Sequence, residues 1–295
     1  MVDRAQPPAF DKHRVRRAFG RAAEDYDAAA VLQREVGARM IERLDVVRLE
    51  PHLVLDAGAG TGEQAEGLMR RYRKARVVAL DFALPMVRRA RQRGRWLRRP
   101  VCLCGDLEHL PLAEGSVDLV YSNLALQWVN DLEATFRECL RVLRPGGLFV
   151  FTTFGPDTLM ELRAAWAQAD PQHVHVSPFL DMHDVGDALV RARFADPVMD
   201  VETLRLTYEA IDGVMRDLKA IGAANAARGR FRAMTGKGRM AAVREAYEAF
   251  RGDDGRLPAT YEVVYGHAWA PEQRTMAGET RVSVDVLRRP PPGAA

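Results

Sequence analysis

A chain of 295 residues, 47% hydrophobic and 28% charged with a net charge of only +3, has room for one large α/β domain with additions, or for two small domains. No apolar run approaches a membrane span, and MVDRAQPPAFDKHRVRRAFG lacks the apolar core of a signal peptide, so neither a membrane protein nor a secreted one is expected. Three cysteines, Cys102, Cys104 and Cys139, do not make a disulfide framework and fit a reducing cytoplasm; no Cys, His and Asp cluster has metal-ligand spacing, so no metal is expected.

In chain order, residues 11–45 read as two helices. Val15, Phe19 and Ala22 share one face; after a break near Tyr26, Val31, Leu32, Val36, Met40, Ile41 and Leu44 form another. Residues 53–55 are a buried strand running into glycines, followed by a helix through Ala65, Leu68 and Met69. Residues 76–81 are a second strand, and Pro85 opens a helix predicted to carry Arg88, Arg89, Arg91, Arg93, Arg95, Arg98 and Arg99. Most of this cluster is expected to be solvated helix surface, with a docking patch for an acidic partner as the sharper alternative. Neither interleaved aromatics nor a recognisable module points to nucleic acid.

Residues 101–106 and 117–122 are the third and fourth strands, and Cys102 and Cys104, two apart, are expected on one core face. Asp131 caps a helix whose apolar face is Leu132, Phe136, Leu140 and Leu143, and Pro145-Gly146-Gly147 ends it before a fifth strand at 148–154. Five strands alternating with helices predict a mostly parallel sheet covered on both faces. Helices at 158–166 and 184–194 then flank a loop in which His173 and His175 read as solvated. Strands at 197–208 and 261–269 enclose helices at 211–221 and 240–250, and 281–287 is an edge-strand candidate before a disordered RRPPPGAA tail.

The chemistry concentrates in LVLDAGAGTG, residues 53–62. A strand, a turn of Gly58, Gly60 and Gly62 and a helix start together let a ligand approach bare backbone. Glu63 and Gln64 stand where a P-loop needs Lys and Ser or Thr, and G-x-G-x-G is not the dinucleotide spacing. Asp56, just before the glycines, suits a ligand with an ammonium group and no phosphate. S-adenosylmethionine is such a ligand, and the stretch resembles motif I of the class I methyltransferases. Asp56, Asp81 and Asp106 close the first three strands, where open α/β sheets bind ligands; any one of them alone is as readily a helix cap. Asp81 is assigned to the ribose hydroxyls, Asp106 with Leu107 to the adenine, and Asp56 to the methionine end.

The likeness extends further. FGRAAEDYDAAAVLQREV, SNLALQWVNDL, FTTFGPDTLMELRAAW, RDLKAIGAANAARGR, HDVGDALVRARFADPVMD and LPATYEVVYGHAW resemble the malonyl-acyl-carrier-protein O-methyltransferases of biotin synthesis over nearly the whole chain. The resemblance implies a Rossmann-like, doubly wound, mostly parallel seven-stranded sheet in one domain, 1–288. Within it lie a helical leader or lid (1–48), a core sheet (49–207), an inserted helical cap (208–257) and final strands (258–288), before a tail (289–295). It implies S-adenosylmethionine as cofactor, with Tyr26 and Gln33 over its methionine end and Phe82, Met86 and Asn123 among its contacts. The partner is malonyl acyl carrier protein, with no nucleic acid and no membrane, and the chain acts as a monomer. For the cation that orients the substrate carboxylate the candidates are Arg216 and Lys219, three apart on the cap helix; for carrier docking they are Arg88 to Arg99, or Arg14, Arg16 and Arg17. Ala59 replaces a cysteine common in relatives. The same S-N-L and G-x-D-T-L patterns occur in mitochondrial arginine hydroxylases of respiratory-complex assembly. Hydroxylation, or a silent assembly role, is therefore the alternative. The leader itself reads either as a lid or as helices that only pack against the sheet.

Overall fold

A computed structural model describes residues 10–95, 97–223 and 236–272. The leader is α1 (Lys12–Ala22), α2 (Tyr26–Ala29) and α3 (Val31–Arg43). The alternating region runs β1 (Leu53–Ala57), α4 (Glu63–Arg71), β2 (Arg76–Asp81), α5 (Leu84–Ala90), β3 (Val101–Cys104), β4 (Val117–Ser122), α6 (Leu132–Val142) and β5 (Leu143–Phe154). Then come α7 (Met160–Ala169), α8 (Met182–Arg191), β6 (Ala195–Tyr208), α9 (Ile211–Ala220), α10 (Lys237–Glu248) and β7 (Leu257–Trp269). The strands form one seven-stranded sheet in the order β3-β2-β1-β4-β5-β7-β6. The first five are parallel, and β7 runs antiparallel to both β5 and β6.

Alternation along the strands builds two cores. Val54, Val77, Leu119 and Leu148 face one side, with α3, α4, α7 and α10 against them. Their neighbours Leu55, Val78, Val120 and Phe149 face the other, against α6 and α8. On that second side Phe136, Phe149, Phe151 and Phe194 join in a ring cluster with neighbouring centroids 4.9–5.6 Å apart. Helix starts follow the capping rule: Asp11 accepts from the Arg14 N–H at 3.1 Å and Asp131 from the Ala134 N–H at 2.8 Å.

Several sequence expectations need correction. Leu143 is not on the α6 face: that helix stops at Val142 and Leu143 begins β5, paired with Val117. The ring of Pro145 disfavours helical backbone at Arg144, and Gly146 and Gly147 are held in the sheet by backbone bonds to Ala270. The arginine-rich stretch is not one helix, since α5 ends at Ala90. Cys104 is exposed and Cys102 half-buried because β3 is the sheet edge. The strand candidate at 281–287 and the tail lie outside the described residues.

The leader divides in two. In α3, Val36 and Met40 are 0% and 1% exposed and belong to the main core. By contrast, α1 and α2 rest on the C-terminal end of the sheet, where Phe10 and Phe19 meet Trp128 at 5.6 and 5.4 Å between ring centroids.

Candidate functional site

Strand order reverses at β1, which pairs with β2 on one side and β4 on the other. The crevice at such a switch point is where doubly wound sheets bind ligands. The turn after β1 enters it, anchored by Gly58 and Ala59 N–H groups on the Leu80 carbonyl at 2.8 and 2.9 Å. The outer glycines are needed for packing: a Cβ on Gly58 would come within 2.4 Å of the Ala125 Cβ, and one on Gly62 within 2.9 Å of the Ala90 backbone. Gly60, at φ +54°, instead points into open space, its nearest neighbour the Tyr26 ring at 3.9 Å. Of the three glycines in the turn it is the one whose side-chain position opens on space and not on packed atoms.

The three strand-end acids meet different fates. Asp81 accepts from the Ala83 N–H at 2.8 Å and the Gly60 N–H at 3.0 Å, and burial still raises its pKa to about 6. Asp56 is 1% exposed, and one of its carboxylate oxygens has neither solvent nor partner. Burial, and then the charge of Asp81, push it up to about 8. Asp106 is paired to Lys12 Nζ, 2.7 Å from both oxygens, and the same ammonium reaches Glu108 at 2.6 Å.

Two recesses flank the Gly turn. Asp81, Phe82, Asp106 and Leu107 border one, of about 70 Å³. Asp56, Gln33 and Thr61 border the other, of about 40 Å³. Tyr26, Gly58, Gly60 and Asn123 border both. Gly62 and Met86 border neither; Met86 is 1% exposed and packs with Ala23 and Ala83 beneath Tyr26 and Phe19. The chemistry fits S-adenosylmethionine: acceptors for ribose hydroxyls, an unpartnered carboxylate oxygen for an ammonium, and an apolar floor. With α1 and α2 in place the recesses hold only a handful of waters.

Asp81→Ala removes a charged acceptor and is expected to weaken S-adenosylmethionine binding by roughly 1.5–3 kcal/mol. Gly60→Val fills the ligand's space and is expected to abolish binding. Calorimetry on the folded variants checks both; wild-type affinity in either refutes that residue's assignment.

The contacts that hold the leader down were not legible in the sequence. Asp27 accepts from Thr61 Oγ1 and Arg93 Nη2, each at 2.5 Å, joining α2 to the Gly turn and to the segment after α5. Lys12 makes the corresponding latch at Asp106. Asn123 is occupied as a strut, donating to the Gln33 carbonyl and accepting from Thr152 Oγ1, both at 2.8 Å. A carboxylate or an arginine in a charged helix carries no signal of a partner tens of residues away.

A third cavity, of about 490 Å³, lies between the leader, α7 and α9. Phe19, Tyr26, Leu124 and Trp128 form its partition from the Asp81 recess, and Tyr26 and Gln33 its partition from the Asp56 recess. Its walls are largely aromatic and aliphatic. Lys219 and Arg14 border it as cations; Arg216 is exposed and does not border it. His175 also lines it, stacked on Trp166 with ring centroids 3.7 Å apart, its Nε2 2.8 Å from Asp170. Asp170 is in turn 2.9 Å from His173 Nδ1 and 3.3 Å from Arg239. These histidines are therefore held in a cluster, because Asp170, 6% exposed, draws both rings and Arg239 to its carboxylate. Their bonds hold its carboxyl below the usual range. Of the arginine cluster, Arg89, Arg93 and Arg98 bind the protein's own backbone, and Arg88 and Arg89 line a surface groove together with Arg21.

Among the described residues no group of three His, Cys, Asp or Glu is placed to hold a metal, and no helix is long and apolar enough to cross a membrane.

A family model described as a methyltransferase domain matches residues 55–151. The malonyl-[acyl-carrier protein] O-methyltransferase of Methylovorus sp. (strain MP688) is 57% identical over 271 residues, covering 90% of this chain and 91% of the relative. That of Halorhodospira halophila is 53% identical over 286 residues, covering 95% and 97%. Among solved structures, the YcgJ protein from Bacillus subtilis superposes with a TM-score of 0.56 at 18% identity, covering 81% of this chain and 99% of that one. The [4+2]-cyclase SpnF does so at 0.52 and 20%, covering 81% of each. These superpositions show the fold alone; a cyclase among them means that the fold does not decide the reaction.

Proposed function

Because this chain belongs to the malonyl-[acyl-carrier protein] O-methyltransferase family, we propose that it methylates the free carboxylate of a malonyl thioester on acyl carrier protein, S-adenosylmethionine supplying an electrophilic methyl on its sulfonium sulfur. The observation that carries this reading is the partition of Phe19, Tyr26, Gln33, Leu124 and Trp128, shared between the Gly-turn recesses and the large apolar cavity. Reactants on its two sides meet with water excluded. A malonyl carboxylate is ionised at neutral pH, so the site needs no general base. Its task is orientation, and Lys219 and Arg14 are the cavity's cations for it.

Asp81 would hold the ribose hydroxyls, Asp56 the ammonium, and the recess of Phe82, Asp106 and Leu107 the adenine. Burial beside Asp81, Asp27 and Glu63 raises the pKa of Tyr26 and keeps it a neutral phenol, suited to a partition a sulfonium must approach. The relatives cited above favour methyl transfer over arginine hydroxylation. The same reading places the step at the entry to pimeloyl assembly for biotin, performed in the cytoplasm by a monomer, with neither nucleic acid nor membrane as partner.

The test is methyl transfer to malonyl carrier protein, malonyl-coenzyme A and free malonate across a salt series. The carrier-bound substrate is expected to be used best and to slow as salt rises, since rim arginines act on encounter with an acidic partner. Free malonate is expected to be poor and nearly salt-independent. Lys219→Met is expected to lower kcat/KM about 10- to 100-fold, the worth of one charge-assisted bond, while Arg216→Met leaves it within twofold. Equal rates on all three substrates, or none on the carrier-bound one, would overturn the reading.

A further inference from the structure

A net charge of only +3 hides an uneven surface. On several faces an exposed arginine meets an acid: Arg137 and Arg191 meet Glu133, Arg144 meets Asp118 and Arg244 meets Asp212. Between α1 and α5 the match fails. Arg21, Arg88 and Arg89 line a groove of about 330 Å³ there, with Glu24 the acid beside them. Arg89 donates to the Glu24 carbonyl at 3.4 Å. Among the described residues the exposed side chains of Arg21 and Arg88 have neither an ion pair nor a hydrogen bond.

The groove continues onto α1. Arg14, Arg17 and Arg21 stand at i, i+3 and i+7, one stripe of that helix about 10 Å long. Arg14 borders the large cavity and Arg21 the groove, so the stripe leads from one to the other. A different face of α1 carries the buried Val15 and Ala22 together with Phe19 of the partition. A body lying on the stripe therefore sits on the roof of the reaction site. Guanidinium groups spread along two helices outnumber what a single phosphate or carboxylate can meet; they match the acidic face of a protein.

We propose that this stripe and groove, made by Arg14, Arg17, Arg21, Arg88 and Arg89, are the docking surface for the acidic carrier protein, which seats on the helix that roofs the site and delivers its arm past Arg14. This rests on the malonyl carrier reading above and adds to it the place where the partner binds. The surface joins parts of both arginine groups singled out in the sequence and brings in Arg21. It leaves out Arg93 and Arg98, whose guanidinium groups are engaged with Asp27, Thr61 and Tyr72. Charges at such a surface act on encounter with the carrier and not on the reacting carboxylate, so they move KM and only for the carrier-bound substrate.

The experiment uses the full chain carrying Arg21→Glu and Arg88→Glu together. Its control carries Arg73→Glu and Lys74→Glu, exposed residues just ahead of β2 at the end of the sheet opposite the Gly turn, which change the net charge by the same amount. Methyl transfer is measured on malonyl carrier protein and on malonyl-S-N-acetylcysteamine, which keeps the thioester and lacks the carrier. At low salt the groove variant is expected to lose about 10- to 50-fold in kcat/KM on the carrier-bound substrate, chiefly through KM, and most of its salt response. On the small thioester it is expected to stay within about twofold of wild type, with S-adenosylmethionine affinity unchanged, while the control variant stays within about threefold on both substrates. An equal loss in the two variants overturns the inference, since total charge and not this surface would then govern encounter. Wild-type use of the carrier by the groove variant overturns it, and so does an equal loss on both substrates; each leaves methyl transfer intact. No transfer by the wild type to any malonyl thioester overturns the parent reading, and this one with it.

Discussion

A chain beginning at Ala30 is expected to keep a folded sheet and to lose methyl transfer at least about 100-fold, the scale at which misplaced reacting groups and admitted water act. The cut falls where the leader changes role. Leu32, Val36 and Met40 of α3 are 0–5% exposed in the main core, so a deletion reaching into α3 would confuse lost stability with a lost lid. Ahead of it, Phe19 and Tyr26 border the large cavity and the Asp81 recess, and Lys12 and Asp27 bind the polar rim on either side of the Gly turn. Removing them uncovers Phe82 and Trp128, and Tm is expected to fall by roughly 5–10 °C. The conservative companion is Asp27→Ala, which breaks the Thr61 and Arg93 bonds together and leaves the core untouched; about a 10-fold loss is expected there. Circular dichroism with single-turnover assays checks both. Turnover within threefold of wild type in the truncated chain would reduce α1 and α2 to packing elements.

Asp56→Asn is expected to do two opposite things: stabilise the ligand-free protein at neutral pH and weaken S-adenosylmethionine binding about 10- to 100-fold. Unfolded, Asp56 ionises near 3.8; folded, it keeps its proton to about 8. Folding therefore favours the protonated form. Its stabilisation is complete below pH 3.8 and is lost as pH rises through the folded value, at about 1.4 kcal/mol per pH unit. By pH 7.5 the loss is on the order of 2–4 kcal/mol once local relaxation is allowed for. Asn removes that slope. A bound ammonium would relieve it in the wild type, so the ligand should raise Tm more at pH 7.5 than at pH 5. Glu133 and Glu138, depressed by arginine partners, give stability that is lost only as pH falls below the ordinary carboxylate range, whereas Asp81, raised to about 6 by burial, adds a slope of the same sign as Asp56. His267, pushed down by burial, gives stability above pH 6.5 that is lost as pH falls, and comparison of variant with wild type at each pH cancels it. Identical Tm profiles for the two proteins would remove Asp56 as a buried, strained acid.

Much of this protein was decided by local pattern. Alternating apolar residues in β1, β2, β4 and β5 predict a buried parallel sheet because side chains a residue apart must fill opposite cores. Positive φ and close approach at the Gly turn made its glycines conspicuous, and Asp81 beside Gly60 stands where strand-end logic puts it. At β5 the pattern misled: a helix-like spacing through Leu143 gave way to Pro145, whose steric demand acts only on its neighbours. The cavity was another matter. Lys219 borders it and Arg216 does not, although both sit on α9, because the pose of that helix against the leader sets which face looks inward. His173 and His175 read as solvated until Asp170 and Trp166 came to meet them from α7 and the turn after it. Asp27 finds Arg93, and Lys12 finds Asp106, across separations of 66 and 94 residues. A charge on an exposed helix has the same local sequence whether its partner is water or a distant side chain. Periodicity and turn chemistry are properties of neighbours along the chain and could be read there, whereas pairing and burial depend on which surfaces the folded sheet brings together.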